Sequence, residues 1–242
     1  MESVLMTRLE RFVDLTDAER ELIAEMERDE QAAPRRHKVI EIGEEARRLH
    51  VLKYGWALVY GREIEGRRAI LRIYLPGEII GMAEIANPIA VHSVEMRTSG
   101  AIAAFPREAV ARMFERTPRL AALLTSLNSL DQIHLRDSLG AATRMTAEHR
   151  LMDFLLRLDE RLKVAPSDPR DRFHLPLTQA EIGDCLGLTS IYISKLFRKL
   201  NEDGWLSVSE RHVTFHNREA LARHIGFKSV HDVVDTSWYP QP

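Results

Sequence analysis

Apolar positions change their spacing twice along the 242 residues. Residues 9–29 carry a helical rhythm, rich in Glu, Arg, Ala and Leu from Asp17 to Arg28, with Thr16 placed to cap it. From about 36 to 104 the rhythm shortens to strand-sized runs: Val39–Ile42, Leu49–Lys53, Trp56–Tyr60, Ala69–Tyr74, Glu78–Ile80 and Ala101–Phe105. Gly43, Gly55, Gly61, Gly66, Gly77 and Gly81 fall between these runs, spaced as turns of an all-β unit. Helical spacing returns at Pro106. Arg107–Arg116 predicts a short helix, and Thr117-Pro118 opens a longer one.

In that longer helix Leu120, Leu123, Leu127 and Leu130 repeat at a/d spacing, continued by His134, Asp137 and Ala141. The stripe fits either a helix laid on the β unit or a seam between two copies of the chain, and two leucine heptads do not separate these readings. Residues 147–163 predict an amphipathic helix with Leu151, Leu155, Leu158 and Leu162 on one face, followed by a loop at Ala165–Pro169. Two helices over 179–187 and 189–203 come next. Strand-like Leu206–Val208 and His212–Phe215 then flank a polar turn at Ser209-Glu210-Arg211. The tail, with Trp238-Tyr239-Pro240, has no readable pattern.

The sharpest motif runs from Gln179 to Arg198. A helix-turn-helix needs apolar residues where two helices face each other, a small residue where they cross and a glycine in the tight turn. Ile182, Leu186, Leu188, Ile193 and Leu196 supply the apolar set, Gly183 the crossing and Gly187 the turn. Thr178-Gln179-Ala180-Glu181 reads as a capping box for the first helix. The second helix leaves Thr189, Ser190, Ile191, Ser194, Lys195 and Arg198 outward, flanked by Tyr192 and Lys199, to meet a major groove and its phosphates.

Composition narrows the possibilities. With 45% hydrophobic and 29% charged residues, the chain has the balance of a folded soluble protein. A net charge of −2 gives no overall attraction to nucleic acid, so any such affinity is local. Residues 147–224 hold twelve Lys/Arg and twelve Asp/Glu, yet 189–199 hold Lys195, Arg198 and Lys199 and no acid. The single cysteine, Cys185, excludes an internal disulfide and a cysteine-ligated zinc or iron–sulfur site within one chain. It reads as a small apolar core residue. The first ten residues have no signal-peptide core, and no run reaches the roughly 18 apolar residues of a membrane helix. A cytoplasmic location without a membrane partner is expected.

The order of glycine-punctuated β unit, long helix and winged helix-turn-helix resembles the cyclic-AMP receptor protein/FNR (CRP/FNR) family of bacterial transcription regulators. The likeness runs from about residue 9 to 217. It is carried by Glu41-Ile42-Gly43-Glu44-Glu45-Ala46, by Leu75-Pro76-Gly77-Glu78-Ile79-Ile80-Gly81, by Leu177-Thr178-Gln179-Ala180-Glu181-Ile182-Gly183 and by Leu186-Gly187-Leu188-Thr189. The resemblance implies an α+β chain in three parts. Residues 1–117 would form a sensor built as a cyclic-nucleotide-binding-like β-roll, 118–144 a dimerisation helix, and 145–242 a winged helix-turn-helix DNA-binding domain with a C-terminal tail. It also implies a homodimer on a palindromic promoter site in double-stranded DNA, with RNA polymerase as a partner and a small effector that the sequence does not identify. On that reading Leu120, Leu123, Leu127, Leu130 and His134 form the seam.

Departures from the family pattern bear on mechanism. Cyclic-AMP-binding members carry an acidic residue for the ribose and an Arg-Ser pair for the phosphate; the matching positions here are Met82 and His92-Ser93. The hydroxyl pair that meets adenine aligns with Leu135-Arg136. A phosphate needs a fixed cation, so cyclic AMP is not the expected effector, although Arg97 offers a substitute cation. No motif selects a haem ligand among ten histidines; His92 and His134 are the better placed.

FNR-like members present a glutamate and an arginine to base edges, where this chain has Ile191 and Lys195. Isoleucine meets only a thymine methyl, and lysine reaches guanine O6/N7 as a point donor. Ser190 and Ser194 reach either base type, while Gln179, Thr189, Tyr192, Arg198 and Lys199 are the expected phosphate contacts. The alternative from another class is a cupin-like metalloenzyme with an appended helical domain. It needs clustered ligands, commonly His-x-His, and His37, His50 and His92 are scattered. No catalytic residue, metal ligand or cofactor is therefore expected.

Overall fold

The computed structural model describes residues 3–62, 69–163, 172–229 and 234–241; Gly66 and the expected loop at Ala165–Pro169 lie outside the described residues. The chain divides into two compact units: residues 1–131 with 234–242, and residues 132–233.

The first unit opens with two helices, α1 (Val4–Leu9) and α2 (Asp17–Met26), where the sequence pattern suggests one over 9–29. The break has a local cause. The Thr16 hydroxyl accepts from the Glu19 amide at 3.3 Å, and the Glu19 carboxylate accepts from the Thr16 amide at 2.8 Å. This box holds Thr16 in an extended conformation, so a helix begins after it and none passes through it.

Eight strands follow: β1 (Glu30–Ala33), β2 (Lys38–Ile40), β3 (Arg48–Tyr54), β4 (Ala57–Tyr60), β5 (Ile70–Tyr74), β6 (Ile79–Ile80), β7 (Ser93–Met96) and β8 (Gly100–Pro106). They form two four-stranded sheets, ordered β1-β8-β3-β6 and β2-β7-β4-β5, and every pairing is antiparallel. Alternation along the strands separates two cores. Leu52 and Ile102, cross-strand partners, join Ala57, Val59, Tyr74, Val94 and Met96 in one cluster. Leu49, Val51, Ala103 and Phe105 turn to the helices instead, meeting Leu5, Leu9, Ile23, Met26 and Met113 in the other.

Helices α3 (Glu108–Arg116) and α4 (Pro118–Arg144) complete the N-terminal run. Leu120 and Leu123, positions of the expected seam, are fully buried in the helix-facing core, and Leu127 packs against the same cluster. This corrects the seam. Those two leucines serve the core of their own chain, because the a/d period marks an apolar face without naming its partner.

The second unit contains α5 (Ala147–Leu162), β9 (Arg172–His174), α6 (Gln179–Leu186), α7 (Ser190–Glu202), β10 (Leu206–Ser209), β11 (His212–Phe215) and α8 (Arg218–Ile225). Its sheet runs β10-β11-β9. Leu151, Leu155 and Leu158 of α5 are buried as their spacing predicts. Arg218 of α8 donates to Asp159 of α5 at 2.6 Å.

The tail departs from its expected grouping with the DNA reader. Val234–Pro242 belongs to the first unit, where Tyr239 is 6% exposed within the helix-facing core. Its hydroxyl has no hydrogen-bond partner among the described residues. Tyr239→Ala is expected to destabilise this unit by about 3–5 kcal/mol, as other large aromatic truncations do. Tyr239→Phe should leave stability unchanged or slightly raised, because it removes an unpaired buried hydroxyl. Denaturant unfolding checks both, and an alanine variant of wild-type stability would exclude the tail from the core.

Candidate nucleic-acid interface

The α6–turn–α7 element is set by one close backbone approach. The Leu188 amide donates to the Gly183 carbonyl at 2.9 Å. A Cβ on Gly183 would lie 2.4 Å from the Leu188 carbonyl oxygen, closer than any side chain tolerates. Gly187 takes φ +64° as it closes α6, the left-handed conformation glycine adopts without strain. Thr178 and Glu181 form the expected capping box, with the Thr178 amide 2.7 Å from the Glu181 carboxylate. From α5, Arg150 donates to the Leu186 carbonyl at 3.1 Å.

Ile193, Leu196 and Leu200 of α7 are buried, which turns the other face outward. Gln179, Thr189, Ser190, Ile191, Tyr192, Ser194, Lys195, Arg198 and Lys199 are all exposed, Ile191 at 70%. Thr189 caps α7, its hydroxyl accepting from the Tyr192 amide at 3.2 Å, which leaves the hydroxyl proton free to donate. The three cations differ. Lys199 contacts Glu148 at 2.6 Å and Asp203 at 3.0 Å. These two carboxylates, Glu148 first, hold its ammonium above the usual lysine range. Among the described residues Arg198 has a distant partner in Glu202, at 3.8 Å. Lys195 makes no ion pair among the described residues. The sequence signal was the lack of acids over 189–199, and it missed Glu148, which α5 brings from 51 residues away.

In the first unit a short 3-10 turn, Met82–Glu84, follows Gly81. Met82 packs against the helix-facing core. Glu84, 7% exposed, accepts from the Val91 amide at 2.8 Å and lies 2.7 Å from His92 Nδ1. The Ser93 hydroxyl accepts from the Ile42 amide at 3.1 Å. Arg97 is buried at the exit of β7. Nearby, Arg72 pairs with Asp131 at 2.5 Å and lies 4.6 Å over the Tyr74 ring.

Residues 149–224 match the Crp-like helix-turn-helix domain, and residues 30–117 match the cyclic nucleotide-binding domain. The chain is similar to the fumarate and nitrate reduction regulatory protein of Yersinia pestis, 27% identical over 184 residues, 76% of this chain and 73% of that protein. Regulatory protein HlyX of Actinobacillus pleuropneumoniae is 25% identical over 183 residues, 76% of each. Among solved structures, FixK2 from Bradyrhizobium japonicum superposes with a TM-score of 0.70 at 25% identity, over 80% of this chain and 95% of that one. The chain belongs to the CRP/FNR family of transcription regulators.

Membership accounts for the order of sheet unit, long helix and DNA-binding helix-turn-helix. Within the family frame, the remaining candidates sort by environment. Cys185 is half-buried, outside the core the sequence suggested, and its thiol is pushed up to about 12 by burial, with Asp184 and Glu181 adding to the effect, so it stays a thiol. His92 is held by Glu84 rather than presented as a ligand. Among the described residues no cluster of three or more His, Cys, Asp or Glu is placed to hold a metal ion, and no helix is long and apolar enough to cross a membrane.

Proposed function

We propose that the chain is a homodimeric regulator that reads a palindromic promoter site with α7, works with RNA polymerase in the cytoplasm, and does not depend on cyclic AMP. The exposed face of α7, with Lys195 unpaired among the described residues at its centre, carries this reading. Lys195 donates to a guanine edge, Ile191 meets a thymine methyl or leaves its base pair unread, and Gln179, Thr189, Tyr192 and Arg198 hold phosphates. Lys199 is revised by its partners: with two carboxylates already on it, it supports α7 from α5 more than it contacts DNA. Binding to a half-site library at several salt concentrations tests the assignment. Lys195→Ala should cost about 1–3 kcal/mol and relax one base position. Lys199→Ala should leave the salt slope nearly unchanged. A slope flattened by about one unit would restore Lys199 as a phosphate contact, and an equal loss at every site on Lys195→Ala would make Lys195 one.

Dimerisation is assigned to the far half of α4. Ile133, Leu135 and Leu139 are exposed at 39%, 60% and 63%, and large apolar side chains left in water on one helix favour a partner surface. Leu130 and His134, half-buried on the same helix, stay in the seam; Leu120 and Leu123 do not. Leu135→Glu with Leu139→Glu should yield a folded monomer in sedimentation. A dimer surviving both changes would move the interface elsewhere.

The unidentified effector is not cyclic AMP on this reading. Its phosphate would arrive where the Glu84 carboxylate already takes the Val91 amide and faces His92, and two anions competing for the same donors repel. The Ser93 hydroxyl, with its lone pair engaged, adds no cation. Calorimetric titration should show no binding tighter than the millimolar range, and a sub-micromolar complex would overturn the reading.

A further inference from the structure

One pair of side chains in the second unit lies outside the proposed reading face of α7. β9 and β11 pair antiparallel with His174 opposite His212. The Leu175 amide donates to the Arg211 carbonyl at 2.7 Å, a bond from the residue after one histidine to the residue before the other. The two histidines therefore occupy a non-hydrogen-bonded position, where opposite Cα atoms approach to about 4.5 Å and side chains come closest. Their ring centroids are 5.1 Å apart. Alternation puts them on the face away from the buried Phe173, Val213 and Phe215, with His174 exposed and His212 half-buried.

The ring nitrogens are oriented as well. His212 Nδ1 lies 3.1 Å from the Glu210 carbonyl oxygen. A carbonyl only accepts, so Nδ1 carries a proton, and the lone pair of a neutral ring would sit on Nε2. Imidazoles that ligate metals are commonly anchored this way, through the other nitrogen on a backbone carbonyl. Burial first, then His212 and Arg211, hold His174 below the usual histidine range. Two imidazoles facing each other across a strand pair offer nitrogen donors to one cation.

We propose that His174 and His212 form a two-imidazole site for a late divalent transition-metal ion, Cu2+ binding more tightly than Ni2+ or Zn2+. No third side-chain ligand joins them among the described residues, so water completes the coordination shell. Arg211, next in the chain and exposed, opposes the incoming charge only through solvent, where salt screens it. Arg172 projects from the same face of β9, two residues before His174, and lies across from Thr214. An ion held there ties β9, which leads into α6, to the β10–β11 hairpin.

Titration calorimetry of the metal-free full chain with Cu2+, Ni2+ and Zn2+ at neutral pH tests the site against His174→Gln and His212→Gln. Other histidines give background binding, so the difference between proteins is the readout. One ion per chain should bind the wild type at least tenfold more tightly than either variant. Thermal unfolding should shift upward with the ion in the wild type and not in the variants, whose fold circular dichroism verifies. Equal affinity and stoichiometry in all three proteins overturns the proposal, as does a wild type that binds no ion at sub-millimolar concentration.

Discussion

The second unit depends on a backbone contact that only glycine permits. At Gly183 two chain segments approach so closely that a methyl group would overlap the Leu188 carbonyl. The approach fixes the axis of α7 against α6, and the axis decides which residues face inward. Ile193, Leu196 and Leu200 then have no alternative to burial, and Ile191, Ser194 and Lys195 none to exposure. Base recognition by a helix requires side chains placed to within hydrogen-bond tolerance, and here one missing side chain sets that placement.

The first unit answers a different problem, that of buried charge. Glu78, 5% exposed, contacts Arg8 of α1 at 3.0 Å, accepts from the Leu75 amide at 3.2 Å and lies 3.6 Å from Arg72. Arg72 passes the connection to Asp131 on α4. Two cations and two carboxylates balance, so the network ties α1, the β5–β6 turn and the long helix into one arrangement. Removing a member leaves an uncompensated charge, which costs far more than the intact network contributes. Glu84 with His92 and Val91 follows the same logic. The Glu84 carboxylate is likewise engaged by the chain itself, through the Val91 amide and His92.

Local signals were legible in the sequence and long-range partners were not. The cap at Thr16 and the capping box at Thr178 are each complete within four residues, and the structure has both. Strands β3, β4 and β5 announced themselves as apolar runs between glycines. The four residues of β1, Glu-Gln-Ala-Ala, bury only Ala33 and carry no strand signal of their own; they pair because β8 supplies the edge. β9 and α8 were equally silent. The leucine stripe of α4 gave a face without naming what covers it, since a core and a seam ask for the same period; Leu120 and Leu123 meet their own core. Tyr239 was unreadable for a related reason: what buries it lies more than a hundred residues away in the chain.

Charge pairing also shapes how this reader can discriminate. Two cations of the second unit are engaged within the protein, Lys199 by Glu148 and Asp203 and Arg218 by Asp159. Affinity for any DNA grows with the number of phosphates neutralised, at about 0.9 log units of salt dependence per contact. A reading helix that keeps its internal ion pairs therefore holds unrelated DNA weakly. Contacts to base edges add a sequence-dependent part that pairing does not diminish. Specificity is the difference between these two quantities. Pairing Lys199 within the protein lowers the first and leaves the second, carried by Lys195 and its neighbours on the proposed reading, intact.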